Sequence, residues 1–183
     1  MSEEMIVKHC APTLAGLKTG NMFVADFEDA FVLRESLRHW NCQLWRKGLR
    51  FVSLYHRDGR ALIYMFRPSR LSQDLQDQMA REVLQNCGYK DHSSPKCLLR
   101  LMERFGEKGE FPHEVGLFLG YPPIDVKGFI ENKARNAKCV GFWKVYGDEN
   151  VARKQFELYR KCTRIYCEQW SKGKNIERLA VAG

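Results

Sequence analysis

The sequence predicts an α+β protein, in which a small antiparallel sheet of about three strands is covered by about six helices. Two apolar, aromatic-rich runs flank Asp58-Gly59, which is the strongest short sequence signal of a β-hairpin turn. Most of the remaining chain repeats its apolar residues every three or four positions, as amphipathic helices do. A sheet of few strands with several helices belongs to the α+β class.

The first half of the chain yields one helix and the hairpin. A helix is predicted from Asp26, which can cap it, to Gly48, which ends it. The two hairpin strands follow, and Pro68 ends the second because proline cannot donate to a ladder. Two further amphipathic helices are predicted over 71–88 and 94–106, each bounded by a glycine.

The second half yields a third strand and a basic helix. The segment KCVGFWKVYG, residues 138–147, is short, aromatic and bounded by glycine, so we predict a strand. From 149 to 172, apolar residues step by four and three along one face while lysines and arginines lie largely off it, which predicts a long basic helix. No linker-like segment divides the chain, so we expect one domain over 1–183.

Composition limits the class of protein. Hydrophobic residues make up 44% and charged residues 28% of the 183-residue chain, which is typical of a globular protein. No apolar run is long enough to span a membrane, and the first ten residues lack a secretory signal. The seven cysteines are odd in number and include no C-x-x-C pair. A reduced cytoplasmic location is expected.

The net charge of +8 is concentrated near the end of the chain. Residues 1–132 carry 18 basic and 17 acidic residues, whereas residues 133–183 carry 12 and 5. This excess indicates either a solvated basic face or an anionic partner, such as a small anion, a nucleic acid or an acidic redox protein.

The central segment FPHEVGLFLGYPPIDVKGFIEN, residues 111–132, predicts two short helices with a tight corner. Gly116 and Gly120 fall at the contact and turn positions of a helix-turn-helix, and apolar residues fill the inner positions. The second helix, however, offers only Lys127 where polar side chains would contact bases. Core packing is therefore favoured, and nucleic-acid binding through the corner at 113–130 is kept as an alternative.

Three strings carry a resemblance to a known family: HCAPTLAGLKTGNMF near the start, the central segment, and GFWKVYGD with FELYRKC near the end. On these, the chain resembles the domain-of-unknown-function family numbered 3793, from anaerobic bacteria. The resemblance implies no established activity. It does imply that the gene lies near genes for flavodoxins and for ferrous-iron transport, and hence a role in redox or iron metabolism.

One candidate function is an enzyme acting on an anionic substrate. Cys10 would be the nucleophile, His113 the base, and Glu114 or Asp125 the group that orients the base, in the chain order of a Cys-His-acid site. A helix N-terminus disfavours protonated histidine, so His113 would be neutral there. No H-E-x-x-H motif follows, which argues against a zincin.

A second candidate function is non-catalytic binding of haem, iron or a flavin partner, with Cys10 and His113 as metal ligands. For either function we predict one pocket that joins the opening turn, the helix start at 113, and the strand at 143–146. Its predicted ligand-binding residues are Lys18, Thr19, Asn21, Tyr121, Trp143, Lys144 and Tyr146.

Overall fold

A computed structural model of the chain describes residues 1–91, 93–107 and 111–183. The helices among these residues are α1 (Glu3–Leu14), α2 (Ala30–Leu44), α3 (Pro68–Asp74), α4 (Gln78–Asn86), α5 (Ser94–Gly106), α6 (Val115–Phe118), α7 (Pro123–Glu131), α8 (Glu149–Ser171) and α9 (Ile176–Leu179). The strands are β1 (Gly20–Asp26), β2 (Arg50–Arg57), β3 (Arg60–Phe66), β4 (Cys139–Val140) and β5 (Lys144–Val145). The α+β class is confirmed.

The chain divides into two compact units. Unit 1 comprises Met1–Ser69 with Lys161–Gly183, and unit 2 comprises Arg70–Arg160. None of the helices in the described part of the chain is both long and apolar enough to cross a membrane.

Unit 1 contains the three-stranded antiparallel sheet, in the order β1–β3–β2. The predicted hairpin is confirmed: β2 and β3 are joined at Asp58 and Gly59, both of which have positive φ. One face of the sheet packs with α1, α2 and α9 into an apolar core that includes Ile6, Phe51 and Ile63.

The third strand of the sheet was placed wrongly by the sequence. It is β1 and not the segment at 138–147, which forms its own two-stranded hairpin in unit 2. In β1, Phe23 and Ala25 are buried while Val24 and Asp26 are exposed, which is the alternation of a half-buried strand. Asp26 therefore ends a strand, and Asp29 caps α2 instead, accepting from the N–H groups of Phe31 and Val32.

Two further helix predictions needed correction. No helix was predicted for the opening segment, but α1 spans Glu3–Leu14 and Cys10 lies within it. The single helix predicted over 71–88 is broken into α3 and α4, because Asp77 starts a new helix by accepting from the N–H of Ala80. The long basic helix α8 is confirmed.

The predicted corner between two short helices is confirmed in unit 2. Gly116 of α6 lies where a Cβ atom would come within 2.8 Å of a Val126 methyl group in α7. Gly120 turns the chain with φ of +73°, a conformation that glycine adopts without strain. Close helix contact and a sharp turn thus explain both glycines.

Candidate functional site in unit 2

The corner between α6 and α7 forms one wall of a cleft of about 530 Å³. The corner contributes Leu117, Gly120, Tyr121, Pro122 and Pro123. The facing wall comes from α3 and the start of α4, and contributes Arg70, Gln73, Asp74 and Asp77. The cleft therefore has one mainly apolar wall and one polar wall.

The polar wall exists because α3 ends and α4 starts at this point. Arg70 and Asp74 lie four residues apart, on the same side of α3. One Asp77 oxygen is used to cap α4. The wall contains one guanidinium and two carboxylates, so charges of both signs are among the groups that line the cleft.

Tyr121 is held firmly in the apolar wall. Its ring stacks on Trp143 at 4.8 Å between centroids, and its hydroxyl donates to the Phe142 carbonyl at 3.2 Å. Burial raises the pKa of Tyr121 to about 12, so the hydroxyl stays protonated at neutral pH. Tyr121 thus presents a fixed, neutral aromatic surface to the cleft.

Asp125 lies behind this wall and is 3% exposed. One of its oxygens accepts from Trp143 Nε1 at 2.7 Å. The other accepts from the N–H groups of Tyr146 and Gly147, at 2.8 and 2.7 Å. These bonds tie the β4–β5 hairpin to α7, and this arrangement favours a positioning role for Asp125.

Glu114 belongs to a separate buried cluster in unit 2. Its carboxylate lies 2.6 Å from Arg104 Nε and accepts from the Tyr89 hydroxyl at 3.1 Å. The Nε–H is not directed at that oxygen, so the contact with Arg104 is an ion pair without a good hydrogen bond. Burial, followed by the charge of Glu114, raises the pKa of Cys87 to about 11.

His113 is exposed beside the start of α6. Its ring contacts Phe129 edge-on at 4.9 Å, and Lys144 Nζ lies 5.8 Å from the centre of the same Phe129 ring. Lys144 also donates to the Ala134 carbonyl at 2.7 Å. Of the predicted ligand-binding residues, Tyr121, Trp143, Lys144 and Tyr146 thus lie in unit 2, but Tyr121 alone is among those lining the cleft.

The other predicted site residues belong to unit 1. Cys10, Lys18 and Thr19 are buried there, and Asn21 accepts from the Thr13 hydroxyl at 2.7 Å. Burial raises the pKa of the Cys10 thiol well above its ordinary value, and Lys18 offsets this only in part. Burial lowers the pKa of Lys18 to about 8, with Cys10 opposing the shift. These surroundings disfavour a thiolate at Cys10.

We expect Cys10 to resist alkylation in the folded protein. Iodoacetamide at pH 8 should modify the exposed Cys42 and leave Cys10 unmodified until urea unfolds the chain, because Cys10 is fully buried. Mass spectrometry of tryptic peptides would measure both sites in the same sample. Selective modification of Cys10 before Cys42 would instead support the predicted nucleophile.

A second cleft in unit 2 has a volume of about 410 Å³ and is lined by Gly88, Tyr89, Lys90, Asp91, Lys96 and Arg100. Lys96 pairs with Asp91 at 2.7 Å, and Arg100 pairs with Glu103 and Glu107 at 3.0 and 2.8 Å. These carboxylates neutralise most of its positive charge. The corner cleft, with its rigid aromatic wall, is the better candidate for binding.

Sequence reasoning found Tyr121 but missed the facing wall of the corner cleft. Gln73, Asp74 and Asp77 fell within the single helix predicted over 71–88, and Arg70 lay just before it. The available signal was Asp77, because aspartate is a common helix cap; here it accepts from the N–H of Ala80 at the start of α4. Recognising this break would have indicated a change of direction in the chain.

The family model described as "Protein of unknown function (DUF3793)" matches residues 6–180. The chain belongs to this family. The match covers both units, which confirms the resemblance found in the sequence strings. No curated protein and no solved structure matches the chain. Among the residues that the structure describes, no group of three or more His, Cys, Asp or Glu side chains could hold a metal ion.

Proposed function

We propose that this protein binds a small amphoteric organic molecule in the corner cleft of unit 2. The observation that carries the proposal is the pairing of a fixed aromatic wall at Tyr121 with a facing wall that contains Arg70 and Asp74. Binding sites commonly combine apolar walls with a few polar groups that orient the ligand. The cleft has this composition.

The charges of the cleft refine the predicted anionic substrate. A molecule with only negative charge would be attracted by Arg70 and repelled by Asp74 and Asp77. A molecule with an acidic group, an amine and a planar or apolar part satisfies both walls. Its planar part would lie against Tyr121.

Catalysis by Cys10 with His113, Glu114 or Asp125 stays a prediction. The surroundings of three of these residues support it less than the corner cleft supports ligand binding. Cys10 is buried, Glu114 is paired with Arg104, and Asp125 accepts three hydrogen bonds. Binding of haem, iron or a flavin partner, as well as the link to redox or iron metabolism, also stays a prediction. Iron and haem would be detected by metal analysis and by the absorption spectrum.

Three matched compounds test the proposed ligand class. Tyrosine carries both charges, tyramine carries the amine alone, and 3-(4-hydroxyphenyl)propionate carries the carboxylate alone. At millimolar concentration, we expect tyrosine to raise the thermal midpoint of the protein more than either singly charged compound, because ligand binding stabilises the folded state. No shift with any of the three would contradict the proposal.

Two variants test whether the stabilisation by tyrosine arises in the corner cleft. Arg70→Gln should abolish the advantage of tyrosine over tyramine, because Arg70 is the one cation among the described residues that line the cleft. Lys154→Gln is the control: it removes the same charge from an exposed position in α8 that does not line the cleft. Equal effects of the two substitutions would show that the binding depends on overall charge and not on the cleft.

A further inference from the structure

The segment of unit 2 from residue 126 to residue 147 is rich in positive charge. From Val126 to Gly147 there are five cations, Lys127, Lys133, Arg135, Lys138 and Lys144, and one acidic residue, Glu131. Within the described part of the chain, none of the five forms an ion pair. We call these five residues and the exposed hairpin residue Phe142 the cationic surface.

The loop that carries this surface has a constrained backbone. Lys133, Ala134 and Asn136 all have positive φ, at 49°, 62° and 59°, which non-glycine residues seldom adopt. Lys144 Nζ donates to the Ala134 carbonyl, and Lys138 Nζ donates to the Gly147 carbonyl. These bonds fix the loop while Lys133 and Arg135 remain exposed.

The aromatic residue Phe142 follows the loop closely in the sequence. Phe142 is 40% exposed, and its inner part packs against Phe156 and Tyr159 at centroid distances of 5.9 and 5.5 Å. The ring is therefore held in place with part of its surface open to solvent. Exposed aromatic rings near cations are the usual elements that bind single-stranded nucleic acids, where phosphates meet the cations and bases stack on the rings.

We propose that the cationic surface binds single-stranded nucleic acid without sequence preference. Four of its five cations are lysines, a residue that protein–protein interfaces disfavour and that phosphate backbones accept readily. An acidic protein is therefore the less favoured partner. The proposal is independent of the corner cleft and does not use α7 as a base-reading helix.

Fluorescence anisotropy with a labelled 20-nucleotide oligothymidylate tests the proposal. If Lys127, Lys133, Arg135 and Lys138 each contact a phosphate, affinity should fall roughly 50-fold between 50 and 200 mM salt, since each single-strand contact contributes about −0.7 to the logarithmic slope. The single strand should bind more tightly than a duplex of equal length, and Phe142→Leu should reduce this difference. No binding at 50 mM salt, or equal binding of the duplex, would overturn the proposal.

Matched charge variants separate this surface from the overall charge of the protein. Lys133→Asn with Arg135→Gln should lower the salt slope by about 1.4, because two phosphate contacts are lost. Asparagine is chosen because it tolerates positive φ. The control, Lys172→Asn with Lys174→Gln, removes the same charge from exposed positions in unit 1 and should leave the slope unchanged. An equal loss in the control, or equally tight binding of polyglutamate, would overturn the proposal.

Discussion

Replacing Arg67 with methionine is expected to lower the free energy of unfolding by about 3–5 kcal/mol, the cost typical of breaking a buried charged network. Arg67 is 2% exposed, and its guanidinium donates to the carbonyls of Thr13, Leu14, Lys47 and Val181 at distances from 2.8 to 3.1 Å. Thr13 and Leu14 are the last residues of α1, whose carbonyls lack partners within the helix. Methionine would remove the guanidinium donor from all four carbonyls, and those of Thr13 and Leu14 would keep the N–H groups of Gly16 and Val181.

Urea denaturation followed by circular dichroism would measure the change. Arg67→Lys should recover only part of the loss, because an ammonium cannot reach four carbonyls in the fixed geometry of a guanidinium. Arg57→Met is the control: Arg57 lies in β2 of the same unit with an exposed side chain paired to Asp58, and its removal should leave the urea midpoint unchanged. An unchanged midpoint for Arg67→Met would refute the role of Arg67 in joining these segments.

Asp125→Ala is expected to release the β4–β5 hairpin from α7 and to lower the free energy of unfolding by about 3 kcal/mol. The substitution leaves one buried donor, on Trp143, and two partly buried donors, on Tyr146 and Gly147, without this acceptor, and each unsatisfied buried group costs roughly 1–3 kcal/mol before water compensates. Because Trp143 supports the ring of Tyr121, the wall of the cleft should loosen as well.

Amide hydrogen exchange at Tyr146 and Gly147 would report this release directly, since their N–H groups donate to Asp125. Exchange should accelerate strongly in Asp125→Ala and less in Asp125→Asn, which keeps one carbonyl oxygen. Asp148→Ala is the control, because Asp148 accepts from Asn150 and Val151 at the start of α8 and not from the hairpin. Unchanged exchange in Asp125→Ala would show that the hairpin is held by other contacts.

The parts of the fold that could be predicted are those encoded by local chemistry. The turn at Asp58-Gly59, the corner at Gly116 and Gly120, and the amphipathic helix α8 each depend on a glycine or on a regular spacing of apolar residues. Strand β1 was missed because it begins with Gly20 and Asn21, two residue types that are depleted in strands. Its partner β3 also lies about 40 positions away in the sequence. Pairing at that distance leaves no local signal.

In the candidate site, too, features with a local sequence signal could be predicted and features that depend on distant residues could not. Tyr121 was identified because it stands at a recognisable corner, and Asp125 was identified as a polar residue near it. The sequence could not show that Asp125 accepts from Trp143, 18 residues away, or that α3 supplies the facing wall. The burial of a side chain also has no local signal: Cys10 was predicted to be a nucleophile, but its enclosure is a property of the packed core.

The most direct test of the cleft is to map a ligand by two-dimensional NMR of the ¹⁵N-labelled protein titrated with tyrosine. Binding in the corner cleft predicts saturable shifts of backbone amides within 70–77 and 117–121, and weaker shifts in Arg70→Gln at the same tyrosine concentration. Shifts confined to the second cleft around Lys96, or no shifts at about 2 mM tyrosine, which is close to its solubility limit and would half-fill a site with a dissociation constant of about 2 mM, would contradict the proposed function.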